Sequence, residues 1–333
     1  MEEHMKFCKD LSVLSKLSYC EQLLSLPEQI DLAMEEEIGE IPRAEKVCIF
    51  GIGESSVAGD IISAYADNHS EIIVPSINSD IVPGWVDEHT DVILVSYFGM
   101  NSLINSVYEK VKERGCRIYC IAHEGRISEK CKKDGNALFK LPNGFTSRSI
   151  LGYELALLST IIERMGICDA RSKLEEISSR VKEYRNSIFT DKRIDDLRFK
   201  LYDNVIAIYG SPDFRASFKR WKMSLNEDIG VPSFCGELPE FNHNEIVGWA
   251  NHNQDDDDLR IVMLRGEYKN RILSEITDKT IEVLEENGRH VIDLKILGGD
   301  TLEKNLRAII LADYISQTMK YEGKDFNDME GSE

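Results

Sequence analysis

No run of this 333-residue chain reaches the roughly 18 consecutive apolar residues needed to cross a bilayer, so no membrane span is expected. The opening MEEHMKF is acidic where a secretory leader would be basic and then apolar, which points to a cytoplasmic protein. Cysteine occurs eight times but never as CxxC or in a disulfide-type framework, so the thiols are expected to stay reduced. Cys116, Cys120 and His123 come nearest to a metal-ligand set, yet Cys116 and Cys120 share one face of CRIYCIA, a buried-strand sequence, and no metal is expected there. Basic residues are in deficit. Lys plus Arg total 40 against 59 for Asp plus Glu, a net charge of -19, which repels nucleic acid and anionic membranes and leaves any phosphorylated ligand dependent on local donors. The acidic run 255–258 lacks EF-hand spacing and reads as a solvated loop. The glycine-rich string Gly51-Ile-Gly-Glu-Ser-Ser56 lacks the third glycine of a dinucleotide fingerprint, and no ribose-binding acid follows the next strand at about 20 residues. No nicotinamide cofactor is therefore expected.

What the chain does have is 42% hydrophobic and 8% aromatic content over a length that accommodates two domains. Residues 11–38 read as one or two helices broken near Pro27. Apolar runs at 46–50, 91–97, 116–122 and 138–142 read as buried strands, with a further strand at 71–75 and helices over 57–66, 103–114, 152–165 and 170–184. The plan then repeats: strands at 205–209, 259–264 and 290–294, with helices at 216–226, 269–286 and 301–319. Strands alternating with helices of more than ten residues imply parallel βαβ units. The expected fold is α/β, with two doubly wound domains: 1–168 with leading helices, a helical linker over 169–198, and 199–333.

One stretch is chemically dense. Residues 215–249, RASFKRWKMSLNEDIGVPSFCGELPEFNHNEIVGW, bring together Glu227, Glu240, Glu245, His243, Asn226, Asn242, Asn244, Arg220 and Lys222. Phe218, Trp221 and Leu225 recur at helical spacing, which puts Glu227 where a helix ends. Gly230, Pro232, Gly236 and Pro239 exclude a long regular element, so Glu240 and His243 are expected on a short irregular segment. A carboxylate and an imidazole serving one substrate are equipment for proton transfer; a helix-end acid and a satisfied loop histidine would look the same in sequence. Upstream, the turns 51–56 and 96–102 each join a strand to a helix, an arrangement that directs backbone N–H groups at an anion.

The strings RWKMSLNE and LPEFNHNEIVGW resemble the second half of the archaeal-type bifunctional phosphoglucose/phosphomannose isomerases, two-domain proteins of the sugar isomerase (SIS) superfamily. The resemblance implies that Glu227 is the base carrying a proton between C1 and C2, and that His243 assists opening of the sugar ring. Ser96-Tyr-Phe-Gly-Met-Asn-Ser102 is similar to the family's SYSGNT turn, which grips the sugar phosphate, with Phe98, Met100 and Asn101 as departures. The first turn resembles GMGGSG, with Glu54 in place of a glycine. Gly53, Ser55, Ser96 and Ser102 are the implied phosphate-binding residues. TSRSILGY resembles PRAAFGY and implies that Arg148 stabilises enediolate oxygens. Glu240 is implied as a support for His243 or an acceptor for a sugar hydroxyl. Lys320 and Lys324 follow the last helix core without matching the family's C-terminal lysine, so no catalytic lysine is assigned. The implied partners are a phosphorylated hexose and a second copy in a homodimer. A phosphosugar-binding protein without turnover is the alternative that the altered SYFGMN turn leaves open.

Overall fold

The structure, a computed structural model, describes residues 10–251, 258–267 and 271–322, and the chain divides into two compact units, 1–182 and 183–333. Residues 255–257 of the acidic run, and Lys324, lie outside the described residues.

Among the described residues, the first unit begins with the helices α1 (Leu11–Leu14), α2 (Tyr19–Leu24) and α3 (Leu26–Met34). The chain breaks at Ser25, and Pro27 sits in the first turn of α3, where a missing N–H costs no helical hydrogen bond. Next come β1 (Val47–Gly51), a 3₁₀ turn (Gly53–Ser56), α4 (Val57–His69), β2 (Ser76–Ile77), β3 (Asp91–Val95), α5 (Ser102–Glu113), β4 (Arg117–Ala122), α6 (Arg126–Asp134), β5 (Ala137–Lys140), α7 (Leu151–Arg164) and α8 (Ala170–Ile188), within which the division between units falls. All five strands are parallel, in the order β2-β1-β3-β4-β5. Alternation along β1 sends Cys48 and Phe50 into a core with Ile104, Val107, Val111, Ile127 and Cys131 of α5 and α6. The other face lies beneath α4 and α7, and α3 packs on α7.

The second strand expected in this unit is displaced. Residues 71–75 are not a strand, Ile73 is 81% exposed, and only Ser76–Ile77 pairs with β1. Pro75 lacks an N–H for a ladder, although its carbonyl accepts from Ile49 N (3.0 Å).

The second unit contains α9 (Lys192–Leu201), β6 (Val205–Gly210), α10 (Arg215–Asp228), β7 (Ser233–Glu237), a 3₁₀ turn (Glu240–His243), α11 (Glu245–Asn251), β8 (Leu259–Arg265), α12 (Arg271–Glu286), β9 (Val291–Lys295) and α13 (Thr301–Glu322). Its parallel sheet has the order β7-β6-β8-β9. Ala207, Tyr209, Ile261 and Met263 form one buried face with Leu238, Phe241 and Leu284, while α10 and α13 pack together on the other. Strand β7 and helix α11 were not anticipated, whereas α9 begins within the stretch 169–198 read as a helical linker. Gly236 lies inside β7 at the sheet edge, where one strand neighbour suffices and a glycine is tolerated.

Candidate functional site

In the first unit the strand order reverses direction between β1 and β3, which places the loops after these strands at the topological switch point where doubly wound sheets receive ligands. Those loops carry Gly53, Ser55, Ser96 and Ser102. Gly53 adopts φ +64°, the left-handed conformation that a side chain would resist. Ser55 and Ser96 are each 6% exposed, and neither hydroxyl has a hydrogen-bond partner among the described residues. Ser102 is the exposed first residue of α5. Asn101 is occupied with capping: its Oδ1 accepts from Leu103 N (3.0 Å) and Ile104 N (3.2 Å). The loop is fixed by Ser96 N donating to Ile121 O (3.0 Å) and by Asn105 Nδ2 donating to Gly99 O (3.0 Å). Phe98 (53% exposed) and Met100 (57%) point an apolar edge outward from it.

Arg148 belongs to the same unit and is 2% exposed. Its Nε donates to Glu54 Oε1 at 3.0 Å, so the carboxylate that replaces a glycine in the first turn meets an opposite charge. The tight turn carrying Arg148 is held from behind by the leading helices. Gln29 Nε2 donates to Ser149 O (2.6 Å), Gly152 N donates to Gln29 Oε1 (3.1 Å), and Ser149 Oγ donates to Gln22 Oε1 (2.8 Å). Gln22 Nε2 reaches Gly144 O (2.8 Å). Tyr97 braces the segment before the turn, donating to Pro142 O (2.9 Å) and accepting from Phe145 N (3.1 Å); burial raises its phenol above the ordinary value. The sequence carried no signal for these glutamines, because their partners around the turn, mostly backbone groups, lie 120 to 127 positions away.

In the second unit α10 leaves the carboxyl end of β6 and returns across the sheet, so its last turn, with Glu227, reaches the sheet's amino end. Asn226 fixes that end by donating from Nδ2 to Ser233 O (3.1 Å), the first residue of β7. Glu227 lines a cleft of about 420 Å³ with Tyr202, Asp203, Asp228, Met319 and Lys320. The position of Lys320 in this cleft was not foreseen. His243 lies beyond the other end of β7, where the following residue, Leu238, donates from N to Gly210 O (2.9 Å) level with the end of β6. Five strand residues span roughly 15 Å, so Glu227 and His243 occupy opposite ends of one sheet.

Around His243 the fixed points are Phe241, whose ring lies 4.3 Å from that of Tyr209, and Asn242, whose Nδ2 donates to Thr280 Oγ1 (2.5 Å). The exposed His243 ring has no hydrogen-bond partner among the described residues, and Glu240 accepts from Asn244 Nδ2 (3.3 Å). Tyr209 donates to the Glu245 carboxylate and accepts from Trp249 Nε1 (3.0 Å); burial and then the Glu245 bond push its phenol up. Helix α10 is anchored to α13 by a pair that is 1% exposed on each side: Arg220 Nε and Nη2 donate to Asp313 Oδ1 (2.9 Å) and Oδ2 (2.8 Å). Arg220 is thus a structural part of RWKMSLNE. Cys120 lies in β4 with 0% exposure, packed among the core residues between the sheet, α5 and α6.

Residues 193–322 match the family model described as the bacterial phospho-glucose isomerase C-terminal SIS domain. The chain is 29% identical over 311 residues to a bifunctional phosphoglucose/phosphomannose isomerase of Caldicellulosiruptor bescii, covering 89% of this chain and 91% of that one. It is 28% identical over 222 residues to a protein of the same name from Aquifex aeolicus, 67% of each chain. The crystal structure of tagatose-6-phosphate ketose/aldose isomerase from Escherichia coli shares the fold, with a TM-score of 0.66 at 13% identity over 98% of this chain and 94% of that one.

Proposed function

We propose that this chain, which belongs to the bifunctional phosphoglucose/phosphomannose isomerase family, interconverts glucose 6-phosphate, mannose 6-phosphate or both with fructose 6-phosphate through a cis-enediol. The observation that carries the reading is the near full-length likeness to a relative of that name, 91% of whose chain is covered. The geometry supports a division of labour. Gly53, Ser55, Ser96 and Ser102 stand at the switch point, where a phosphoryl group would meet backbone N–H groups and two uncommitted hydroxyls. His243 would assist ring opening, and Glu227 would take the proton from C2 and return it to C1, or the reverse. Arg148 would stabilise charge on the enediolate oxygens. Glu240, bonded to Asn244, would steady the segment that presents His243.

Glu227 and His243 lie at opposite ends of the second sheet, so one copy does not offer both to one hexose. This supports a homodimer with a composite site, Glu227 from one copy and His243 from the other. The acidic charge and the lack of a disulfide-type cysteine framework in the sequence support a cytoplasmic protein. The test is a coupled assay converting fructose 6-phosphate to glucose 6-phosphate and, separately, to mannose 6-phosphate. Turnover is expected, with loss of at least about 10²-fold in Glu227→Gln and His243→Ala, and partial recovery when the two variants are mixed. A folded wild-type dimer that turns over neither sugar refutes the isomerase reading.

A further inference from the structure

We propose that Glu54 is a positioning residue: with Arg148 it forms one charge-neutral unit that lets the first glycine turn accept a phosphoryl dianion and fixes how the guanidinium is presented. The proposal rests on reading that turn as a phosphate cradle. Glu54 is the second residue of the 3₁₀ turn Gly53–Ser56 and the direct neighbour of Ser55. A bare carboxylate there would oppose a dianion at short range and through little water. Instead its Oε1 accepts from Arg148 Nε at 3.0 Å, with Glu54 24% exposed and Arg148 2%. The guanidinium offsets the carboxylate charge, and the Ser55 hydroxyl, which has no hydrogen-bond partner among the described residues, remains for a ligand.

The second half of the argument concerns direction. Gln22 and Gln29 hold the backbone around Arg148, through Ser149 and Gly152, while Glu54 is among the groups that hold its side chain and takes its Nε. A hydrogen bond at Nε fixes rotation of the planar guanidinium about its stem, which sets where the two terminal nitrogens point. Glu54 therefore links the residue next to the cradle to the residue assigned to the enediolate.

Two separable effects follow. Glu54→Ala removes both charge and acceptor and is expected to lower kcat by about 10- to 100-fold with little change in KM, while Glu54→Gln, which keeps the acceptor, recovers most of the loss. Arg148→Met strands the Glu54 carboxylate and is expected to weaken fructose 6-phosphate by roughly 100-fold; adding Glu54→Gln should restore about tenfold of that. Arg148→Lys keeps the charge and should show no such gain.

Binding of fructose 6-phosphate and of inorganic phosphate is measured by titration calorimetry, apart from turnover, on dimers checked by circular dichroism. Tighter binding by the double variant than by Arg148→Met supports the proposal, and equal weakness overturns it. Should Arg148→Met not fold, the Glu54 variants decide: wild-type kcat in Glu54→Ala, or a pure KM effect, overturns the proposal. A wild type that binds fructose 6-phosphate without turning it over refutes the isomerase reading, yet the charge cycle still reads out. A wild type that binds neither ligand removes the cradle and the proposal with it.

Discussion

Asp313→Ala tests whether the placement of Glu227 depends on a buried charge pair seven residues earlier on the same helix. Arg220 makes two bonds to Asp313, at 2.9 and 2.8 Å, and Ser224 Oγ donates a third to Asp313 Oδ1 at 2.9 Å. Both charged side chains are 1% exposed, so removing the carboxylate takes two hydrogen bonds from a buried guanidinium and one from a buried hydroxyl in a place water does not reach. Breaking such a pair from one side costs about 3–5 kcal/mol, whereas replacing both partners by apolar groups of similar size is often neutral. At roughly 2–4 °C per kcal/mol for a unit of this size, the melting temperature of the second unit should fall by about 6–20 °C. The assay is urea and thermal unfolding followed by tryptophan fluorescence in a Trp85→Phe background, so that emission comes from Trp221 and Trp249 of the second unit alone. Arg220→Met with Asp313→Leu should regain at least half of the loss. A drop under about 1 kcal/mol for Asp313→Ala would refute the claim that the pair anchors α10.

Gln29→Ala should lower stability by about 2–4 kcal/mol, because Ser149 O and Gly152 N lose buried partners, and should lower kcat through the Arg148 turn; thermal melts and steady-state kinetics check both. Gly99→Ala should cost about 2–3 kcal/mol and weaken phosphosugar binding, since φ is +60° and a Cβ would stand 2.0 Å from Glu124 O; calorimetry of fructose 6-phosphate reads the second effect. The hydrogen bond from Lys112, and then that from Tyr108, hold the Asp134 carboxyl below its usual range. A depressed folded value adds stability that is full above the unfolded pKa of about 3.9 and is lost as pH falls through the folded value. Wild type should therefore exceed Asp134→Asn in urea midpoint at pH 7, with the gap closing as pH falls below the unfolded value of about 3.9.

Periodicity and composition carried the α/β architecture, because fully buried strands such as β1 (VCIFG) and β3 (apolar after its first residue, Asp91) have near-continuous apolar sequences. The same rule failed at the edges. β7 has one strand neighbour and the sequence SFCGE, which lacks that signature, and residues 71–75 look apolar yet lie outside the ladder. Individual candidate residues were legible from motifs: Glu227 does sit in the last turn of its helix, and Glu240 and His243 do sit in one short 3₁₀ turn. Their separation across the sheet was not, since it depends on where β7 runs. The engagement of Glu54 by Arg148 was also hidden, because the partners stand 94 positions apart and no local pattern joins them.

The glutamine brace of the first unit carries a consequence for the order in which the molecule is made. Gln22 and Gln29 emerge early, but the groups they bind at Gly144, Ser149 and Gly152 lie 120 to 127 positions downstream. At about 5–20 residues per second, the leading helices wait roughly 6–25 s on the ribosome for those partners. All five strands of the sheet are synthesised in that interval, so the Arg148 turn closes after the scaffold it rests on, and a nascent chain halted before residue 144 has its strands without its arginine.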